Sequence, residues 1–189
     1  MAGRPVDHQH RAALLDAAVD YATEQGFAEL SWRPVAAALG VSVTTLVHHF
    51  GTKEQMLQAI LGRLRERTVV ATGALAGARP DLATAARAVW RWTSAPPQWP
   101  TFKLFFAVYG RALQAPEEFT EFLDQVGADW MNTLRAAQGP DTDPATATRM
   151  ATLVIATIRG LLLDLLATGD RKRIQDAAEH FLASLEDPK

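Results

Sequence analysis

At 189 residues the chain is longer than one small module and shorter than two large domains, so one or two compact units are expected. With 48% hydrophobic and 21% charged residues it has apolar material for a core and reads as globular, not as a disordered or collagen-like chain. The lack of cysteine excludes disulfides, thiolate metal sites and a cysteine nucleophile, and a formal charge of −2 excludes a strongly basic body.

The polar start MAGRPVDHQHR has no apolar stretch of the kind a secretory signal requires. The least interrupted apolar run, Met150 to Ile158, is shorter than the roughly 20 residues that span a bilayer, so no membrane passage is expected and a cytoplasmic address is compatible. Apolar residues recur at spacings of three and four, and strand-type alternation is nearly absent, which predicts an all-α chain of about nine helices. Asp7 can cap a first helix with the stripe Leu14, Leu15, Ala18 and Ala22, ending at Gly26. A short second helix follows Ser31, with Pro34 in its first turn, and stops at Gly40. Ser42 caps a third that reaches about Phe50.

Thr52 opens a fourth helix, and Gln55 three residues on makes a capping box in which each side chain satisfies the other's free backbone donor. Its stripe Leu57, Ile60, Leu61 and Leu64 fades into the small-residue stretch from Ala71 to Arg79, where a boundary is expected. This gives three parts: residues 1–52, a connecting helix over 53–78, and a helical body over 79–189. Beyond Pro80, the breaks at Pro96-Pro97, Pro100, Pro116, Gly139-Pro140 and Gly169 predict five more helices.

Two short helices joined by Leu39-Gly40-Val41-Ser42 have helix-turn-helix form. The second is about 12 Å long, comparable to the width of a DNA major groove. Leu46 and Phe50 are four apart and should pack toward Val35 and Leu39, leaving Thr44, Thr45, Val47 and His48 outward. Threonine and histidine can hydrogen-bond base edges or phosphates. Lys53 stands at a helix start whose free N–H groups favour phosphate, and Arg33 lies in the opening turn of the second helix. The same shape also occurs in helical proteins that bind no DNA, and Trp32 reads as a packing residue. No metal is expected: His48 and His49 point about 100° apart, with no carboxylate at a ligating offset.

The strings AALLDAAVDYATEQGF and LSWRPVAAALGVSVTTLVHHFGTKEQML carry Gly26-Phe27, a Gly-Val-Ser turn, Thr45-Leu46, Phe50 and Thr52-Lys53-Glu54. In these residues, over the first quarter to third of the chain, it resembles the N-terminal DNA-binding domain of the tetracycline-repressor (TetR) family of bacterial transcriptional regulators. The resemblance implies that Ser42 to His49 form the recognition helix, with Val43, Thr44, Thr45 and His49 near bases or phosphates and Arg33 and Lys53 on the backbone. Two positions depart from the family pattern. Val47 stands where a phosphate-bonding tyrosine is common, and Thr44 where glycine, alanine or proline is common, so an operator sequence cannot be carried over.

Between Ala86 and Met150 lie Trp90, Trp99, Phe102, Phe106, Tyr109 and Trp130, read either as plain core or as contacts of a small apolar effector. The segment from Met150 to Leu166 is apolar nearly all round and needs cover on more than one side. Paired through Gly169 with the stripe Ile174, Ala178, Phe181, Leu182 and Leu185, it suggests a four-helix interface between two copies, with Ile158, Leu162, Leu165, Phe181 and Leu185 at the contact. The resemblance implies the same use of these helices. Without a GxSxG, HExxH or glycine-rich phosphate loop, no enzyme and no cofactor is expected. The expected function is a homodimeric regulator that a small apolar ligand releases from a palindromic operator, with repression the mode that the resemblance implies. The rival is a ligand-binding or protein-interaction bundle without operator binding.

Overall fold

The computed structural model describes residues 8–26, 28, 30–76 and 81–186. Among these residues all regular structure is helical: α1 (His8–Gln25), α2 (Trp32–Leu39), α3 (Val43–Phe50), α4 (Lys53–Ala76), α5 (Leu82–Thr93), α6 (Trp99–Gln114), α7 (Thr120–Gln125), α8 (Ala128–Ala136), α9 (Pro144–Thr168) and α10 (Arg171–Ser184). Ten helices stand where about nine were expected. The prolines explain part of the difference. Pro96 and Pro116 open short 3-10 turns, and Pro100 sits in the first turn of α6, where a missing N–H costs nothing.

The chain folds as two compact units. One comprises Met1–Arg67 with Pro100–Leu123, and the other Thr68–Trp99 with Asp124–Lys189. This differs from the division into 1–52, 53–78 and 79–189: α4 contributes to both units, and most of α6 joins the N-terminal one. Asp7, Phe27 and the stretch from Gly77 to Pro80 lie outside the described residues.

In the first unit the core is built from one face of each helix. Leu14, Leu15, Ala18, Val19 and Ala22 of α1, Val35 and Ala36 of α2, Leu46 and Phe50 of α3, and Met56, Leu57, Ile60 and Leu61 of α4 are all buried. Helix α1 stops at Gly26, whose φ of 83° is open to glycine at no steric cost. Arg63 and Arg67 of α4 reach Asp16 at 3.3 and 2.9 Å, and Arg67 also reaches Asp20 at 2.9 Å. These linked charges fasten α4 to α1.

In the second unit α9 is the central element, capped by Asp143 through the Thr146 N–H at 2.8 Å, with Pro144 at its first position. By length and composition alone α9 could cross a bilayer, a property that the interrupted run from Met150 to Ile158 did not reveal. Here it packs on α8, α10 and α5 and buries Ala147, Ala151, Val154, Ile155, Ile158, Leu162 and Leu165. Its polar exceptions are matched within the unit: Arg159 donates to the Val126 carbonyl, and Asp164 takes two hydrogen bonds from Arg173 of α10 at 2.8 and 3.0 Å.

Candidate nucleic-acid interface

Helix α2 ends in a Schellman arrangement. Gly40 takes the left-handed conformation (φ 66°), its N–H donates to the Ala37 carbonyl, and the Val41 N–H donates to the Ala36 carbonyl at 3.0 Å. One residue later Ser42 caps α3, its hydroxyl accepting the Thr45 N–H at 3.0 Å. Two helix ends thus share a three-residue corner, as the spacing predicts. Ser31, by contrast, makes no side-chain cap on α2.

Helix α3 has two faces. Leu46 (0% exposed) and Phe50 (4%) point into the core, while Ser42, Val43, Thr44, Val47 and His48 stand in solvent. Val47, at 44% exposure, is a large apolar side chain held outward. Thr45 is turned partly inward. Its hydroxyl lies 2.8 Å from that of Ser42, within the cap.

The outward-face argument favours His48 and the family pattern His49; the structure separates them. His48 is exposed, whereas His49 is half-buried with its ring edge-on to His10 of α1 at 5.3 Å between centroids. Adjacent helical positions point about 100° apart, so only one of the pair can share a face with Thr44. No group of three or more His, Asp or Glu side chains suited to a metal ion occurs among the described residues.

Arg33 is exposed on the first turn of α2, and Lys53 is exposed at the first position of α4. The surroundings of Lys53 differ from expectation. The capping box forms, with Thr52 N–H donating to Gln55 Oε1 at 2.9 Å and Gln55 N–H to Thr52 Oγ1 at 3.2 Å. Glu54 stands beside them, its carboxylate held below the usual range first by its own backbone N–H and then by the Thr52 hydroxyl. The N–H groups of this turn are therefore largely engaged, and a phosphate here would meet the Lys53 ammonium rather than a bare helix end.

The six aromatic candidates divide between the units. In the second, Trp90 is buried and donates from Nε1 to Gln175 at 3.2 Å, Trp99 donates to the Ser94 carbonyl at 3.0 Å with the Arg171 guanidinium 5.4 Å above its ring, and Trp130 is half-buried. In the first, Phe102 is buried, and Phe102, Phe106, Tyr109 and Phe122 each meet the Phe105 ring with centroids 5.2 to 6.2 Å apart. None of the six lines either of two described cavities. One, of about 200 Å³, lies in the first unit among Leu30, Met56, Ile60, Arg111 and Glu118; the other, of about 280 Å³, lies in the second among Asn132, Arg135, Thr142 and Ala147. Trp90 and Phe102 are thus core residues.

The proposed contact between copies also needs amendment. Ile158, Leu162 and Leu165 are each 2% exposed within one chain, so a second copy has no access to them. The opposite side of α9 is bare: Leu153 (57%) and Leu163 (50%) flank exposed Ala156 and Gly160. Phe181 and Leu185 of α10 are half-buried.

Residues 14–60 match the family "Bacterial regulatory proteins, tetR family". The HTH-type transcriptional regulator BetI of Rhizobium meliloti is 32% identical over 111 residues, covering 57% of this chain and 54% of BetI, so the chain spans about half the length of that curated relative. A transcriptional regulator from Rhodococcus sp. Rha1 shares the fold with a TM-score of 0.75 at 24% identity, over 93% of this chain and 95% of its own. The multidrug binding protein EbrR, solved with imidazole, aligns with a TM-score of 0.66 at 28% identity, over 95% and 90% of the two chains. Residues 14–60 thus carry the helix-turn-helix segment of the tetR family of bacterial regulatory proteins, and the all-helical fold of the chain is that of the transcriptional regulators it resembles.

Proposed function

We propose that the chain is a cytoplasmic, homodimeric transcriptional regulator whose α3 reads base edges in the major groove of a pseudo-palindromic operator. The observation that carries this reading is the two-faced α3: Val43, Thr44, Val47 and His48 stand outward on a short helix that Leu46 and Phe50 fix from behind. Thr44 offers a hydroxyl to a base, Val47 a methyl surface to thymine, and His48 a donor to a purine N7 or a phosphate. Lys53 and Arg33 supply backbone cations.

In the dimer, α9 pairs across the two-fold axis through Leu153, Ala156, Gly160 and Leu163, small residues between leucines that permit close approach of two helices. The two recognition helices then meet half-sites about 34 Å apart, one helical turn of DNA. The regulator is a repressor released by a small apolar effector. EbrR, solved with imidazole, supports a small-molecule effector in general, and the partly exposed rings of Trp99 and Trp130 are its proposed apolar contacts in the second unit. Coupling of about 1–3 kcal/mol would change operator affinity about 5–150-fold, provided the effector binds the two states unequally.

Gel-shift titration against duplexes selected from random sequence tests this reading. Thr44→Val should relax base preference at one position of each half-site. Lys53→Ala should weaken binding to every sequence and flatten the salt dependence by about one per subunit. Weak, salt-insensitive association by the wild type would favour the rival bundle without operator binding, to which Val47 gives some weight because it makes no hydrogen bond to phosphate.

A further inference from the structure

Helix α3 is eight residues long and buries only Leu46 and Phe50. Its N-terminal end is fixed by the Gly40 corner and the Ser42 cap. Its far end is held from a distant part of the sequence. Arg11 of α1, half-buried, donates from Nε to the His49 carbonyl at 3.1 Å, and its guanidinium carbon lies 5.7 Å from the centroid of the Phe50 ring. The neighbouring His10 ring meets the His49 ring edge-on. The last carbonyls of a helix have no partner inside it, and a cation there also complements the helix dipole. A planar guanidinium can hydrogen-bond along its edge while its face lies over an aromatic ring, which an ammonium cannot do.

Accepting that α3 reads DNA, we propose that Arg11 is a positioning residue: it fixes the tilt of the recognition helix and thereby sets operator discrimination, without contacting phosphate itself. A base-edge hydrogen bond tolerates only a few tenths of an ångström in length and weakens steeply with angle. Burial of Phe50 and the Gly51 junction restrain the far end of this rod of about 12 Å, but without Arg11 it keeps a freedom of tilt that lets Thr44, Val47 and His48 drift against the bases. A second hold at the tip removes that freedom.

The test uses full-length protein, an operator duplex selected by the wild type from random sequence, and a scrambled duplex of equal length. Binding is followed by fluorescence anisotropy at several salt concentrations. For Arg11→Ala the ratio of operator to scrambled affinity should fall about tenfold or more, the scale of one mismatched base pair. Its salt slope should match the wild type. Arg11→Lys, which keeps the charge and loses the planar stack, should recover only part of the ratio, and circular dichroism establishes that both variants are folded. Hydrogen exchange of DNA-free protein should show faster exchange over residues 43–50 in Arg11→Ala. An unchanged ratio, or a slope lowered by about one as expected for Lys53→Ala, overturns the proposal. A wild type that selects no sequence removes the DNA-binding reading instead, and this inference with it.

Discussion

Gln55 occupies the space that a β-carbon on Gly51 would need. The amide oxygen that would be struck is the one accepting the Thr52 N–H, and Gly51 itself has φ 77° and ψ −106°, a conformation side-chain-bearing residues avoid. The junction between α3 and α4 therefore has one solution at residue 51. Gly51→Ala should cost about 1–3 kcal/mol, which for a chain of this length is roughly 2–12 °C in Tm. Differential scanning calorimetry at neutral pH reads it directly, and an unchanged Tm would show that Gln55 can swing away without loss.

Neighbouring leucines of α9 should behave in opposite ways. Leu162 is 2% exposed and Leu163 50%. Leu162→Ala opens a cavity in the second unit, with an expected loss of about 2–5 kcal/mol in chemical denaturation. Leu163→Arg leaves that core intact and should shift the protein from dimer to monomer in light scattering after size exclusion. A Leu163→Arg dimer as tight as the wild type would exclude this face as the contact.

The bidentate pair between Asp164 and Arg173 predicts a pH dependence. Hydrogen bonding from Arg173, followed by its charge, holds the Asp164 carboxyl below its ordinary value of 3.8. A carboxyl depressed on folding adds stability above its unfolded pKa and loses it as pH falls through the folded one. Asp164→Asn should therefore melt below the wild type at pH 7, and the difference should shrink as pH is taken under 3.8. A gap that stays constant into acid would mean that the pair acts by packing rather than charge.

Glu54 places a negative charge beside the cation that the interface needs. Its replacement by glutamine should raise affinity for operator and scrambled DNA alike, by about two- to fivefold, the scale of an exposed charge pair. It should also slightly lower stability, because an anion in the first turn of α4 is lost. Anisotropy titrations at fixed salt separate this uniform gain from a change in sequence preference.

Much of the interface was legible because its determinants are local. The Thr52 and Gln55 box, the Ser42 cap, the glycine corner and the inward pair Leu46 and Phe50 all lie within five residues of their partners, a range that spacing rules cover. What was not legible depends on contacts between distant segments. His49 turns toward His10 across 39 positions, and Trp90 finds Gln175 across 85. Helix α9 is apolar on so many sides that periodicity could not tell its buried face from its bare one, so Ile158, Leu162 and Leu165 were assigned to the wrong side. Nor does any local signal announce that most of α6 joins the N-terminal unit rather than the body that follows it in sequence.

That interleaving limits how the protein can be cut. The backbone passes from one unit to the other after Arg67, returns after Trp99 and leaves again after Leu123, so neither unit is a continuous stretch of gene. A fragment ending at Arg67 would carry every residue of the proposed DNA-reading face yet leave behind Leu104, Val108 and Phe119, which are buried in the intact protein. A minimal reader should therefore be made by joining residue 67 to residue 100 through a linker, not by truncation.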